Sequence, residues 1–141
     1  MTKATSGLMI CYYRLSSEDG DVARGNAAES SSISAQRLCV QNFLASRPDL
    51  EGTVEEIVDD GCTGTNMNRP GMQRLLSLVK SGSVRTIIVR DLSRFSRSFL
   101  EGGHYLEFVF PAYGVRFISI NDHFDSINPN STDSDIAGIK N

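Results

Sequence analysis

Four short apolar runs punctuate the chain: LMICYY at 8–13, TVEEIV at 53–58, VRTIIV at 84–89 and VRFISI at 115–120. Runs of this length, rich in β-branched and aromatic residues, predict buried strands. Between them the apolar spacing lengthens. Ile33, Val40, Phe43 and Leu44 share one stripe of a helix predicted over 33–47, with a serine at its start. Pro70 suits the first turn of a helix running to about Lys80, ended by Gly82. A third helix is predicted near 97–110, ahead of Pro111 and Gly114. The polar stretch 17–32, with Gly20, Gly25 and three consecutive serines, reads as a loop.

Strands alternating with helices predict an α/β fold, a mainly parallel sheet flanked by helices. Ligands of such sheets gather beyond the carboxyl ends of the strands. Those ends are Arg14-Leu15-Ser16, Asp59-Asp60-Gly61, the run from Arg90 to Arg94, and Asn121-Asp122, which should share one rim.

A chain of 141 residues suits one domain, and 40% hydrophobic residues suits a globular one. No apolar run approaches the roughly 20 residues of a membrane span. The three cysteines, Cys11, Cys39 and Cys62, lack metal-ligand spacing and point to a reducing cytoplasm. A net charge of −3 argues against a general polyanion binder. The cations are eleven arginines against three lysines, and arginine's planar fork suits two-point contact with phosphate.

Position gives the arginines meaning. Residues i and i+2 of a strand face the same side, so Arg14 and Ser16 point together and Ser17 points away. That arrangement is either a surface accident or a nucleophile beside a phosphate clamp. In VRDLSRFSRS (89–98), Arg94 and Arg97 share a face if they lie on the first turns of a helix, where anions are favoured. The same segment also reads as a solvated basic turn. Arg69 precedes another helix start in NRPG (68–71), a turn that Pro70 and Gly71 explain without it. Together Arg14, Arg69, Arg94 and Arg97 could surround one phosphate within reach of Ser16, supplying charge stabilisation and a nucleophile for phosphoryl transfer.

Other chemistries lack their residues. Neither histidine is paired with a carboxylate or cysteine at ligand spacing, and His104 reads as a partly buried structural residue. There is no G-x-S-x-G elbow, no Gly-Lys-Ser/Thr phosphate loop and no G-x-G-x-x-G after the first strand. Asp59-Asp60 reads as an acidic loop or a helix cap before it reads as a magnesium site. The aromatic residues sit mostly at core-like positions. Two further readings stay open: a receiver-like signalling module with an Asp59-Asp60 phospho-acceptor pocket, and a non-catalytic phosphate-binding domain.

Five segments in order, YYRLS (12–16), SISAQR (32–37), DDGCTGTNMNRPGMQRLL (59–76), VRDLSRFSRS (89–98) and GVRFISINDHFDS (114–126), resemble the catalytic domains of serine recombinases. The DLSRFSR and NDHFDS forms are most similar to the large serine recombinases, which include serine integrases and transposon-encoded resolvase-like transposases. The resemblance implies site-specific DNA cleavage and rejoining. Ser16 would form a 5′-phosphoserine bond and free a 3′-hydroxyl. Arg14, Arg69, Arg94 and Arg97 would bind the phosphate, with Tyr12, Gln36 and Asp91 in support. It also implies that neither metal nor nucleotide is used, and that the full-length protein assembles into dimers and tetramers. Small resolvases commonly place an aspartate where this chain has Ser93, two residues after Asp91, so an acid–base role for that aspartate does not carry over. Residues 1–141 are expected to form an N-terminal catalytic domain truncated before a long helix and C-terminal domains that hold most of the DNA affinity. The final DSDIAGIKN, a helix start that stops after one turn, fits that expectation.

Overall fold

A computed structural model describes residues 7–15, 31–61 and 66–127. Ser16, the 17–30 part of the polar stretch, Cys62 and the final segment lie outside the described residues.

The sheet has the order β2-β1-β3-β4-β5. Strands β1 (Leu8–Leu15), β2 (Thr53–Asp60), β3 (Val84–Val89) and β4 (Arg116–Ser119) are mutually parallel, and β5 (Phe124–Asp125) turns back antiparallel to β4. Helices α1 (Ser31–Ala45) and α2 (Pro70–Lys80) match the predicted elements within two residues at each end. The strand over 84–89 falls where the apolar run puts it.

β1 is central and buried from Met9 onward. Its alternate residues feed two cores. Met9, Cys11, Tyr13 and Leu15 pack with Ile33 and Val40 of α1, on the stripe read from the sequence. Ile10 and Tyr12 face the opposite side, with Met72, Leu75, Leu76 and Val79 of α2 and an aromatic group built on Phe95, Phe110 and Phe117. The central strand thus carries no solvent face, which explains its continuous apolar run. β2 is the outer strand, and six of its eight residues are not buried, Ile57 and Asp59 being the exceptions.

Several expectations around the third predicted helix and the β2 end need correction. The helix predicted near 97–110 is present over 99–112, within two residues at each end, but Arg94 does not lie on it. A four-residue helix α3 (Leu92–Phe95) comes first, then an extended Ser96. The predicted helix begins at Phe99 and runs as α4 (Phe99–His104), a π-helical turn (Tyr105–Val109) and α5 (Phe110–Ala112). Ser98 caps it, its Oγ accepting from Glu101 N at 3.2 Å, so the start is set by a Ser-x-x-Glu signal and not by Arg97. Pro111 sits inside the last turn and not beyond it, as the second residue of α5. Arg94 and Arg97 therefore do not share one helix. His104 is exposed, edge-on to Tyr105. Asp59 and Asp60 end a strand; they are not part of a loop.

Candidate active site

Between β1 and β3 the strand order reverses, the position at which open α/β sheets hold their ligands. The predicted rim segments meet there. Arg14, the penultimate residue of β1, is fully buried. Its Nε donates to Arg94 O at 3.1 Å and its Nη2 to Ser93 O at 2.8 Å. Arg94 reciprocates, Nη1 donating to Arg14 O at 3.2 Å. β1 pairs with β3 only as far as Cys11. Beyond that, Gln36 of α1 supplies the missing partner: its Oε1 accepts from Arg14 N at 3.2 Å and its Nε2 donates to Arg14 O at 3.0 Å.

Arg69 is held in extended backbone just before Pro70 and is also buried. Its Nη2 donates to Phe95 O at 2.7 Å, and its Nη1 to Tyr12 Oη at 3.2 Å and Arg94 O at 3.5 Å. Its Nε is buried with no hydrogen-bond partner among the described residues. Tyr12 Oη donates in turn to Asp59 Oδ2 at 2.6 Å. Asp59 accepts the first free N–H groups of α2 as well, Gly71 N on Oδ1 at 2.7 Å and Met72 N on Oδ2 at 2.9 Å. The acidic pair read as a helix cap is one, through Asp59, and the α2 N-terminus favours the negative charge. Burial, opposed by the charge of Arg69, pushes the Tyr12 phenol well above its ordinary range, so it remains a donor.

The consecutive carbonyls of Ser93, Arg94 and Phe95 thus receive both buried guanidiniums. A short helix with little stability of its own is tied to β1 and to the entrance of α2. Asp91, at the start of α3, turns its carboxylate sideways. Its Oδ1 accepts from Ser93 Oγ at 2.5 Å, and its Oδ2 faces Arg90 Nε at 3.1 Å and Arg94 Nε at 3.7 Å. Burial alone would raise the Asp91 carboxyl; the hydrogen bonds from Ser93 and Arg90 and the charge of Arg94 outweigh it and hold it below the usual carboxylate range. The serine that replaces the expected aspartate before Arg94 therefore contacts a carboxylate directly.

Arg97 lies exposed in the link between α3 and α4. It still belongs to the cluster electrostatically. The Arg14 guanidinium is pushed down to about 10, first by burial, then by the charges of Arg69, Arg97 and, after a smaller opposing contribution from Tyr12, Arg94. The cations that crowd Arg14 favour an anion among them. The structure brings together Arg14, Arg69, Arg94, Tyr12, Gln36 and Asp91, with Arg97 at the mouth. Ser16 follows Leu15 in the chain, outside the described residues.

Sequence reasoning placed Asp122 on the rim and Gly71 in a turn without giving either a contact to make, and did not single out Phe95. Phe95 carries the carbonyl that receives Arg69, and its ring lies 5.1 Å from that of Phe117 and 5.6 Å from that of Phe110. A Cβ on Gly71 would stand 2.8 Å from both Asp59 carboxylate oxygens. Asp122 Oδ2 accepts from Leu92 N, the first residue of α3, at 2.7 Å.

The family model "Resolvase, N terminal domain" matches residues 9–138. Among solved structures, the chain is similar to a resolvase-family site-specific recombinase from Streptococcus pneumoniae, with 26% identity, a TM-score of 0.66, and coverage of 95% of this chain and 87% of that one. The N-terminal catalytic domain of TP901-1 integrase shares the fold at 24% identity and a TM-score of 0.69, over 94% of this chain and 89% of that one. So does the C-terminal catalytic domain of ISC1926 TnpA, an IS607-like serine recombinase, at 24% identity and a TM-score of 0.61, over 80% and 70%. No curated protein matches the sequence. Among the described residues no helix is long and apolar enough to cross a membrane.

Proposed function

Because the chain belongs to the resolvase family of serine recombinases, we propose that it cuts and rejoins DNA through Ser16. The hydroxyl oxygen of Ser16 attacks the phosphorus of a DNA phosphodiester. A bond to the serine forms as the bond to the 3′-oxygen breaks, leaving a 5′-phosphoserine and, after proton uptake, a free 3′-hydroxyl. The serine proton passes to a base. Since one phosphoester replaces another, a 3′-hydroxyl presented after strand exchange reverses the step and releases the serine.

The observation that carries this reading is the arginine cluster at the end of β1. Arg14 and Arg69 are buried charges fixed by the same short helix, and Arg94 and Arg97 lie on and just after it. Charge accumulating on the phosphate's equatorial oxygens meets donors already oriented, so little reorganisation accompanies the reaction. Tyr12 and Gln36 act on Arg69 and on the Arg14 backbone, and Asp91 on Arg94 and Ser93. The receiver-like reading is disfavoured because the Asp59 oxygens already take three hydrogen bonds.

The test is to trap the protein–DNA adduct formed by the full-length protein on the ends of its own element, in EDTA, and to map the linked peptide. An adduct on Ser16, lost in Ser16→Ala, is expected. An adduct on Ser17, or full cleavage by Ser16→Ala, would overturn the assignment.

A further inference from the structure

The NDHFDS segment bears on the arginine cluster from a distance. Asp122 lies three residues beyond β4, half-buried. Its Oδ2 accepts two hydrogen bonds, from Leu92 N at 2.7 Å and from Ser119 Oγ at 2.7 Å. Ser119 is fully buried, so its hydroxyl fixes the carboxylate. Leu92 opens α3, and α3 lacks a side-chain cap of its own, because Asp91 faces Ser93 and the neighbouring arginines. The cap comes instead from a residue thirty positions later.

This matters because α3 is a poor helix in isolation. One turn cannot repay the entropy of nucleation. Its internal ties are Ser96 N to Leu92 O and Arg94 N to Asp91 O, both at 3.0 Å. Its place must be set from outside, at both ends. The C-terminal end is set by the Phe95 ring among Tyr105, Phe110 and Phe117. At the N-terminal end, Asn121 N donates to Arg90 O at 2.7 Å and Asp122 takes Leu92 N. Between those anchors lie the three carbonyls that hold Arg14 and Arg69.

We infer that Asp122 is a positioning residue for the recombination reaction: by capping α3 from the end of β4, it sets the height of the Ser93–Phe95 carbonyls and so the aim of Arg14 and Arg69. It touches no reacting group. This rests on the proposed function for its catalytic consequence and on geometry alone for its structural one.

Two readouts separate those parts. The first is the Arg14 Nε–H resonance of the chain by NMR, well below the unfolding temperature, since that proton sits on Arg94 O. Asp122→Ala should move it and speed its exchange. Asp122→Asn, which keeps an oxygen acceptor, should restore most of the wild-type signal, and Ile118→Val, a core change on the α1 face of β4, should leave it unmoved. The second is single-turnover adduct formation by the full-length protein at saturating DNA. Asp122→Ala should slow it about 10- to 100-fold, as a misplacement remote from the chemistry can. DNA affinity should hold within about threefold, and Asp122→Asn should recover most of the rate. An unmoved Arg14 signal in Asp122→Ala, or a rate loss no larger than that of Ile118→Val, overturns the inference. If wild type forms no adduct, the proposed function fails and the resonance alone decides Asp122. Should Asp122→Ala not fold, Ser119→Ala, which frees the carboxylate to turn, must move the same resonance; an unmoved signal there also overturns it.

Discussion

Replacing Gly71 with alanine sets two physical expectations against each other. Gly71 is the second residue of α2, and its need for glycine is not a matter of backbone angle. On helix propensity alone, Ala should stabilise by about 1 kcal/mol. The structure predicts the opposite sign. The new Cβ would lie 2.8 Å from Asp59 Oδ1, Asp59 Oδ2 and Ile57 Cγ2, closer than such atoms come. Asp59 cannot retreat freely, because it holds Gly71 N at 2.7 Å, Met72 N at 2.9 Å and Tyr12 Oη at 2.6 Å. Hydrogen bonds to a charged acceptor are worth about 1.5–3 kcal/mol each, so losing one or two, less the propensity gain of about 1 kcal/mol, leaves a net loss of about 0.5–5 kcal/mol. For a chain of this size that lowers Tm by roughly 2 °C or more. Thermal unfolding of Gly71→Ala, Asp59→Ala and the double variant measures it. The cost of Gly71→Ala should shrink when Asp59 is already truncated, leaving only the Ile57 contact. Adduct formation should fall too, because Tyr12 links Asp59 to Arg69. A Tm raised by Gly71→Ala, or an equal cost in both backgrounds, would refute the reasoning.

Arg94→Ala and Arg97→Ala should each reduce adduct formation by about 10²–10³-fold with DNA affinity little changed, as expected of preorganised charge; comparable losses in both would instead indicate a docking surface. Arg14→Lys should also fail, since one ammonium cannot reproduce the two bonds to Ser93 O and Arg94 O. Burial and the neighbouring arginines would press that lysine towards its neutral form, so its residual activity should decline further as pH rises; a profile parallel to wild type would count against the electrostatic account. Burial first, then Glu56, pushes the Cys11 thiol up to about 12, so iodoacetamide at pH 8 should leave Cys11 unlabelled in the folded protein and label it in urea. Peptide mapping that finds Cys11 labelled equally in both would contradict its place in the core.

Much of this fold lay open in the sequence because its signals are local. A strand buried on both faces is a continuous apolar run, and the run over 84–89 therefore gave its own bounds. Pro70 and Gly82 bracketed α2 for reasons contained in their own backbones. The region 92–112 was harder, because its structure is decided by distant partners. Ser96 breaks the helix under local Ser96–Ser98 hydrogen bonds. α3 is held by Arg14, Arg69 and Asp122 and by the packing of Phe95, all contacts with residues distant in the chain. Propensity cannot anticipate such a turn. The arginines were legible as a group because a buried strand ending in a cation is conspicuous. Their engagement with backbone carbonyls was not, since a carbonyl carries no side-chain signature.

The outer position of β2 has a consequence for how copies of this molecule meet. A strand with one unpaired edge is a template on which another chain can add, and extended sheets grow that way into aggregates. Here Glu55, Glu56 and Asp60 sit on that strand, with Glu51 just before it. Arg74 and Arg37 pair with Glu55 and Glu56 from within the same molecule. A second copy laid along β2 would set carboxylate against carboxylate and would have to compete for those arginines. The opposite side of the sheet is closed differently, by a β5 of only two residues that offers too short a ladder to extend. Among the described residues, one margin of the five-stranded sheet is thus guarded by charge and the other by brevity.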